Sequence, residues 1–161
     1  MFESDERLQP ALEVALAFLN RRERTVQELR LRLERKGIAT GTADECVQVL
    51  TQEGYLDDAR FALVFVHDKR ELEGWGSERI ERGLAERGID RDLIASALVQ
   101  HEREWGGGET EYDRALALLR RRFPSPPRER RERDRALGVL IRKGFESELA
   151  LDVLAAYERA G

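Results

Sequence analysis

Only one cysteine, Cys46, occurs in the chain, so no internal disulfide can staple it, which fits a reducing compartment. No run of 18 apolar residues is present, which excludes a membrane-spanning helix, and nothing near the N-terminus has the apolar core of a signal peptide. The expected location is therefore the cytoplasm. Prolines number four and aromatics make up 7%, and no segment alternates with period two, so strands have little support. Phosphate loops of the GxxxxGKS/T type, GxGxxG turns, GxSxG elbows and HExxH helices are all missing. The two histidines, His67 and His101, have no metal-ligand spacing around them. Adjacent Asp57 and Asp58 at a helix start read as caps rather than as a general acid and base. These absences leave no catalytic constellation, no metal centre and no cofactor, and the expectation is a protein that is not an enzyme.

What the sequence does contain is a repeat. LERKGI at residues 33–38 returns as LAERGI at 84–89 and LIRKGF at 140–145. A helix commonly stops on a residue at positive φ, which glycine reaches without steric cost, so each hexamer reads as a helix end. Leucine four residues before the glycine (Leu33, Leu84, Leu140) and an apolar residue eight before it (Leu29, Ile80, Ala136) share one helical face. An apolar helix closing on basic residues precedes each hexamer, at 11–22, 59–70 and 113–122. A third short helix follows, with Cys46/Val47, Ala97/Leu98 and Val153/Leu154 nine and ten positions after the glycine. By this register Cys46 is a small core residue rather than a reactive thiol.

The unit is thus helix, helix, glycine, helix, and only the connection between its first two helices changes length, as loops do. Thr25 with Glu28 and Thr42 with Glu45 have capping-box spacing, Asp57 or Asp58 and Asp90 are candidate N-caps, and the last proline of FPSPP, Pro127, suits a first helical turn. Gly106, Gly107 and Gly108 read as a linker. The expectation is an all-α protein of three tandem three-helix repeats in an elongated, curved array. Its parts are an N-terminal extension at 1–10, repeats at 11–53 and 54–105, a Gly-rich linker at 106–110 and a third repeat at 111–161.

Net charge is −4, so any acidic partner must be argued from where the arginines lie. Residues 114–143 hold eleven Arg/Lys against three Asp/Glu, and residues 21–36 hold seven against three; the middle unit, 57–104, has eight against twelve. A basic, acidic, basic array can meet phosphates or an acidic protein surface at its ends, or simply stay soluble. Charge and repeat position single out Arg21, Arg22, Arg24, Lys69, Arg70, Arg79, Arg120, Arg121, Arg122, Arg130, Arg131 and Arg133 as residues facing a partner or DNA. Trp75, inside a Gly-Trp-Gly turn, is either an aromatic anchor for a partner or packing over a repeat junction. Tyr55, Phe61, Ile80 and Leu84 read as core.

Residues 53–98 closely resemble the central part of the RecX family of bacterial recombinase regulators. The matching positions are Gly54, Tyr55, Leu56, Asp57, Asp58, Phe61, Ala62, Arg70, Gly74, Gly76, Ile80, Leu84, Gly88 and Ile89. In the first unit Ala15, Leu16, Leu19, Arg22, Glu28, Leu29, Leu33, Lys36 and Gly37 fit the same family. Coverage runs over about 11–155, and the third unit departs most, with its FPSPP insertion and arginine-rich second helix.

The resemblance implies a non-enzymatic modulator of the RecA recombinase. It would lie in the groove of the RecA filament on single-stranded DNA, limit filament growth, and damp strand exchange, ATP hydrolysis and cleavage of LexA-type repressors. It also implies a monomer that touches no membrane, and it allows direct contact with single-stranded DNA. Two other readings stay open on the residues alone. A helix-turn-helix duplex binder predicts one favoured recognition helix in a dimer. A repeat scaffold for an unrelated protein predicts no response to RecA.

Overall fold

The computed structural model describes residues 6–160. A 3-10 turn at Glu6–Leu8 leads into α1 (Gln9–Leu19), α2 (Val26–Arg35) and α3 (Thr40–Gln52). The second unit is α4 (Asp58–Glu71), α5 (Ser77–Glu86) and α6 (Arg91–Trp105), and the third is α7 (Glu111–Arg122), α8 (Arg130–Lys143) and α9 (Ser147–Ala160). Among the described residues there is no strand. Of the N-terminal extension expected from the sequence, residues 1–5 lie outside the described residues, while Leu8 enters the core of the first unit. The accessible surface of 10128 Å² exceeds the roughly 8200 Å² of a compact monomer of this mass, so the array is elongated.

Each unit has its own apolar core. The positions set by the glycine register are fully buried: Leu29 and Leu33, Ile80 and Leu84, Ala136 and Leu140. Cys46 and Val153 are fully buried as well, and burial pushes the Cys46 thiol up to about 11, so it is packing and not a nucleophile at neutral pH. Burying each large aliphatic side chain contributes roughly 1.5–3 kcal/mol. That favours closure of each unit around only a handful of residues.

Local signals account for most helix ends. Thr25 and Glu28 make the reciprocal capping box, the Asp57 side chain accepts from the Arg60 N–H, and Thr110 with Asp113 forms a second box. Asp90 occupies an N-cap position without a side-chain bond. Three expectations fail. α3 starts at Thr40 behind Ala39, so Thr42 lies inside the helix and caps nothing. α8 starts at Arg130, so Pro127 is buried in the connection instead of opening the helix. Tyr55 is 39% exposed, because the chain turns outward after Gly54 at φ +82° and it is Leu56 that enters the core.

The three helix-end glycines are left-handed, with φ of +79° at Gly37, +79° at Gly88 and +99° at Gly144. The residue after each donates its N–H to the carbonyl five back: Ile38 to Leu33, Ile89 to Leu84 and Phe145 to Leu140, at 3.0–3.1 Å. Two of these ends are also joints between units. At the first joint the Thr25 hydroxyl donates to the Arg87 carbonyl at 2.7 Å, and the Val26 N–H, at the start of α2, donates to Asp58 at 3.0 Å. Gly88 lies directly beneath the Gln27 side chain.

At the second joint Gly76 and Glu78, at the start of α5, donate their N–H groups to the Lys143 and Gly144 carbonyls at 2.7 and 3.0 Å. Gly76 has an ordinary φ of −79°, yet a Cβ there would lie 2.6 Å from the Gly144 carbonyl carbon. It is glycine for close approach alone. The second helices therefore stack end to end, each N-terminus on the C-terminus of the next unit's second helix, and each satisfies terminal groups that a lone helix leaves orphaned.

Gly37 and Gly144 separate the two roles of this glycine. Alanine at either position must adopt positive φ, costing about 1–2 kcal/mol. At Gly144 the new methyl also meets the Arg79 backbone N at 2.6 Å, whereas at Gly37 it meets nothing within 4 Å. Urea unfolding should therefore show Gly144→Ala less stable than Gly37→Ala by a further ~1–3 kcal/mol. Equal losses would mean that the joint contributes nothing.

Candidate interaction surface

The third unit presents more cations without an ion-pair partner than either of the other two, among the described residues. Arg120, Arg121 and Arg122 close α7, where they suit the negative end of the helix dipole, and all three are exposed. Arg130, Arg131 and Arg133 stand in the first turn of α8, at the positive end, in a helix with no side-chain cap. Cations there oppose the dipole by roughly 0.3–1 kcal/mol each. Arg133 is offset by an ion pair to Glu158. Arg120, Arg121, Arg122, Arg130 and Arg131 have no ion-pair partner among the described residues, and they flank a connection in which Arg135 stacks on Phe123 and the Tyr157 hydroxyl donates to the Phe123 carbonyl.

In the first unit Arg21 and Arg22 are exposed, while Arg24 is half-buried with its guanidinium 4.1 Å over the Phe18 ring. Burial, and then the neighbouring Arg22 charge, lower the Arg24 pKa, with Glu28 opposing. Arg32, which the sequence did not single out, stacks on the same ring at 5.5 Å.

In the second unit Lys69 and Arg79 lie 4.7 and 4.0 Å from the Trp75 ring centre, and the edge of Trp75 meets Phe65 at 6.1 Å. Half-buried, Trp75 lines a cleft of about 180 Å³ together with Arg114 and Arg121 of the third unit. It is therefore seated at the repeat junction. Arg79 also donates to the Arg142 carbonyl at 3.1 Å, and Lys143 donates to the Glu73 carbonyl at 2.8 Å.

Arg70 does not join the exposed cations. Its side chain is 3% exposed, because the face of α4 that carries it packs against α6 and the start of α7. There it meets His101 Nδ1 at 3.1 Å, the Ser77 hydroxyl at 3.2 Å, Glu102 at 3.5 Å and Glu111 at 3.8 Å. Arg114 bridges the same two glutamates, at 2.7 and 3.5 Å, and Glu111 accepts from the Ser77 N–H at 3.1 Å. His67 Nδ1 lies 3.2 Å from His101 Nε2, and Trp105 packs against both rings.

This buried network ties the third unit to the second. The sequence concealed it because its members stand more than 30 residues apart: Arg70 from His101, and Ser77 from Glu111.

Burial first, and then the Arg70 and His67 charges, hold His101 below the usual histidine range, with Glu71 pulling the other way. An unfolded histidine titrates near 6.5, so below that pH the unfolded chain takes up a proton that the folded site resists. The contribution is absent above the unfolded pKa and destabilises progressively as pH falls through it. Urea midpoints should hold between pH 8 and 7 and decline from 6.5 to 5.5. His101→Gln should be less stable at pH 8 but show a flatter decline. Parallel profiles would remove His101 as the cause.

Taken together, the geometry defines a class: a tandem array of three-helix units, stacked through their second helices, with exposed cations at its ends that have no ion-pair partner among the described residues. The chain belongs to the RecX family. The family's first, second and third three-helix domain models match residues 11–50, 57–98 and 109–154. The regulatory protein RecX of Xanthomonas campestris pv. campestris (strain B100) is 34% identical over 139 residues, covering 86% of this chain and 82% of that protein. The one from Halorhodospira halophila is 36% identical over 145 residues, covering 89% and 86%.

A crystal structure of RecX from Lactobacillus salivarius superposes with a TM-score of 0.77 at 18% identity, over 97% of this chain and 99% of that one. A second crystal structure of regulatory protein RecX gives 0.72 at 22%, over 91% and 71%. At those identities the two structures speak for the fold alone. Membership identifies a regulatory protein. Among the described residues no helix is long and apolar enough to cross a membrane.

Proposed function

We propose that the protein binds the RecA recombinase, mainly as its filament on single-stranded DNA, and limits filament extension together with the recombinase, ATPase and coprotease activities that depend on it. Family membership supports the class of target. The observation that carries the reading is the run of unpaired arginines at the end of α7 and the start of α8. At the start of α8 these charges oppose the helix dipole, and Arg130 and Arg131 have no ion-pair carboxylate among the described residues, so folding gives no reason for them. An acidic or phosphate-bearing partner does.

An elongated array can lie along a filament and touch neighbouring protomers, so that weak contacts add through effective concentration. In this role the chain acts as a monomer and catalyses nothing itself. Arg21, Arg22, Arg120, Arg121, Arg122, Arg130 and Arg131 form the contact set, with Arg24, Lys69, Arg79 and Arg133 secondary because each has an internal partner. Arg70 acts only through the junction it holds together.

DNA-dependent ATP hydrolysis by RecA on single-stranded DNA should fall as this protein is titrated from substoichiometric to equimolar ratios. Reversing Arg121, Arg122, Arg130 and Arg131 together should weaken that inhibition at least tenfold, by order of magnitude, with the helical signal and melting retained. Full inhibition by the folded reversal variant would refute the contact set, and no inhibition by the wild type would refute the proposal itself.

A further inference from the structure

We propose that the cleft between α1 and α2 seats one nucleotide of a single-stranded polynucleotide, its phosphate held by Arg21, Arg32 and Lys36 and its base laid along Phe18. The inference deepens the filament reading by giving the strand a direct seat on this chain. It is tested without the recombinase, so the two can fail separately.

The cleft measures about 350 Å³ and joins two kinds of wall. Val14, Ala17 and Phe18 supply an apolar strip from α1, while Arg21, Arg32 and Lys36 supply three cations against one carboxylate, Glu13. Arg22 and Arg24 add charge at the rim, close enough that Arg22, Arg21 and Arg32 all lower the Arg24 pKa. None of Arg21, Arg22, Arg24, Arg32 and Lys36 has an ion-pair partner among the described residues. The guanidiniums of Arg24 and Arg32 stack on the Phe18 ring, and the buried Nε of each finds no acceptor among the described residues. Cations crowded this way, outnumbering Glu13 and held by no ion pair among the described residues, are unfavourable to the free protein and favourable to an incoming anion.

The repeat itself shows that this is not a by-product of the fold. Five residues before the helix-end glycine the first unit has Arg32, while the second and third have Gly83 and Val139. One residue before it, Arg87 is occupied by the Gly83 carbonyl and the Phe65 ring, and Lys143 by the Glu73 carbonyl; Lys36 is exposed and has neither. Among the described residues Arg21 and Lys36 of the first unit keep no internal partner, and Arg32 keeps only the Phe18 ring. A carboxylate-bearing peptide would use the cations and leave the apolar strip bare. A nucleotide offers a phosphate and a flat apolar face in one unit, and a single strand exposes that face where a duplex stacks it away.

Fluorescence anisotropy with a labelled 20-mer oligothymidylate at low salt tests this on the full chain, with the exposed Arg103→Gln as the control. Phe18→Leu should weaken binding about fivefold or more through lost stacking. The pair Arg32→Gln/Lys36→Gln should weaken it about tenfold and reduce the slope of log K against log salt by about 1.4, at ~0.7 per phosphate contact. Duplex DNA and polyglutamate of equal charge should compete at least tenfold less well. Because Arg32→Gln/Lys36→Gln leaves the core untouched, it decides the matter should Phe18→Leu melt early.

The proposal is overturned if these variants bind like Arg103→Gln, if polyglutamate or duplex competes as well as the single strand, or if the wild type does not bind. Should recombinase inhibition persist in that last case, the filament reading stands and this seat falls.

Discussion

The structure depends on one contact made twice: the carbonyls at the C-terminus of one unit's second helix receive polar hydrogens from the start of the preceding unit's second helix. A helix end leaves groups on both sides unsatisfied, and burying either without a partner is costly. Here each end supplies what the other lacks, as when Gly76 and Glu78 donate to Lys143 and Gly144. Glycine is required on both counts, for its positive φ and because a Cβ would keep the two ends apart. The same hexamer therefore ends a helix and forms a joint. In the first unit a Cβ at Gly37 would meet nothing within 4 Å, and there the glycine only ends the helix.

Once the backbone ends carry the stacking, side chains around the joints are released for other roles. Between the second and third units they build the Arg70, Arg114, Glu102 and Glu111 network, roofed by His67, His101 and Trp105. Buried charges of this kind bring little net stability, but they are intolerant of misplacement, and so they specify how the third unit is set against the second. At the outer ends the arginines have no such task. α8 folds despite Arg130 and Arg131 in its first turn, because Ala136, Val139 and Leu140 bury its other face.

Much of the fold was legible because a helix writes its packing face at intervals of three and four and its end as a glycine. Leu33, Leu84 and Leu140 follow from that register alone, as does the buried Cys46. Tyr55 was misread for a local reason: Gly54 at positive φ turns the chain, and the apolar period does not continue through it. Thr42 had the right spacing for a cap, yet Ala39 already stands in extended geometry before the helix.

Of the candidate surface, the exposed arginines of the third unit were legible as charge, whereas Arg70 resembled them in sequence and is interior. Apart from Ser77, its partners lie 31 to 41 residues further along, at His101, Glu102 and Glu111, and only tertiary packing brings them to α4. Phe18 with Arg32 was hidden for the same reason.

The measurement that bears most directly on the stacked second helices is the distance between the two outer ends of the stack. Spin labels at Glu34 on α2 and Asp134 on α8, both exposed, placed in a Cys46→Ala background, report it by pulsed dipolar spectroscopy. Joints made of hydrogen bonds between helix ends and close packing, rather than of surface charge, predict one narrow distance distribution, the same at low and high salt. A broad or multi-peaked distribution, or one that shifts with salt, would contradict the account.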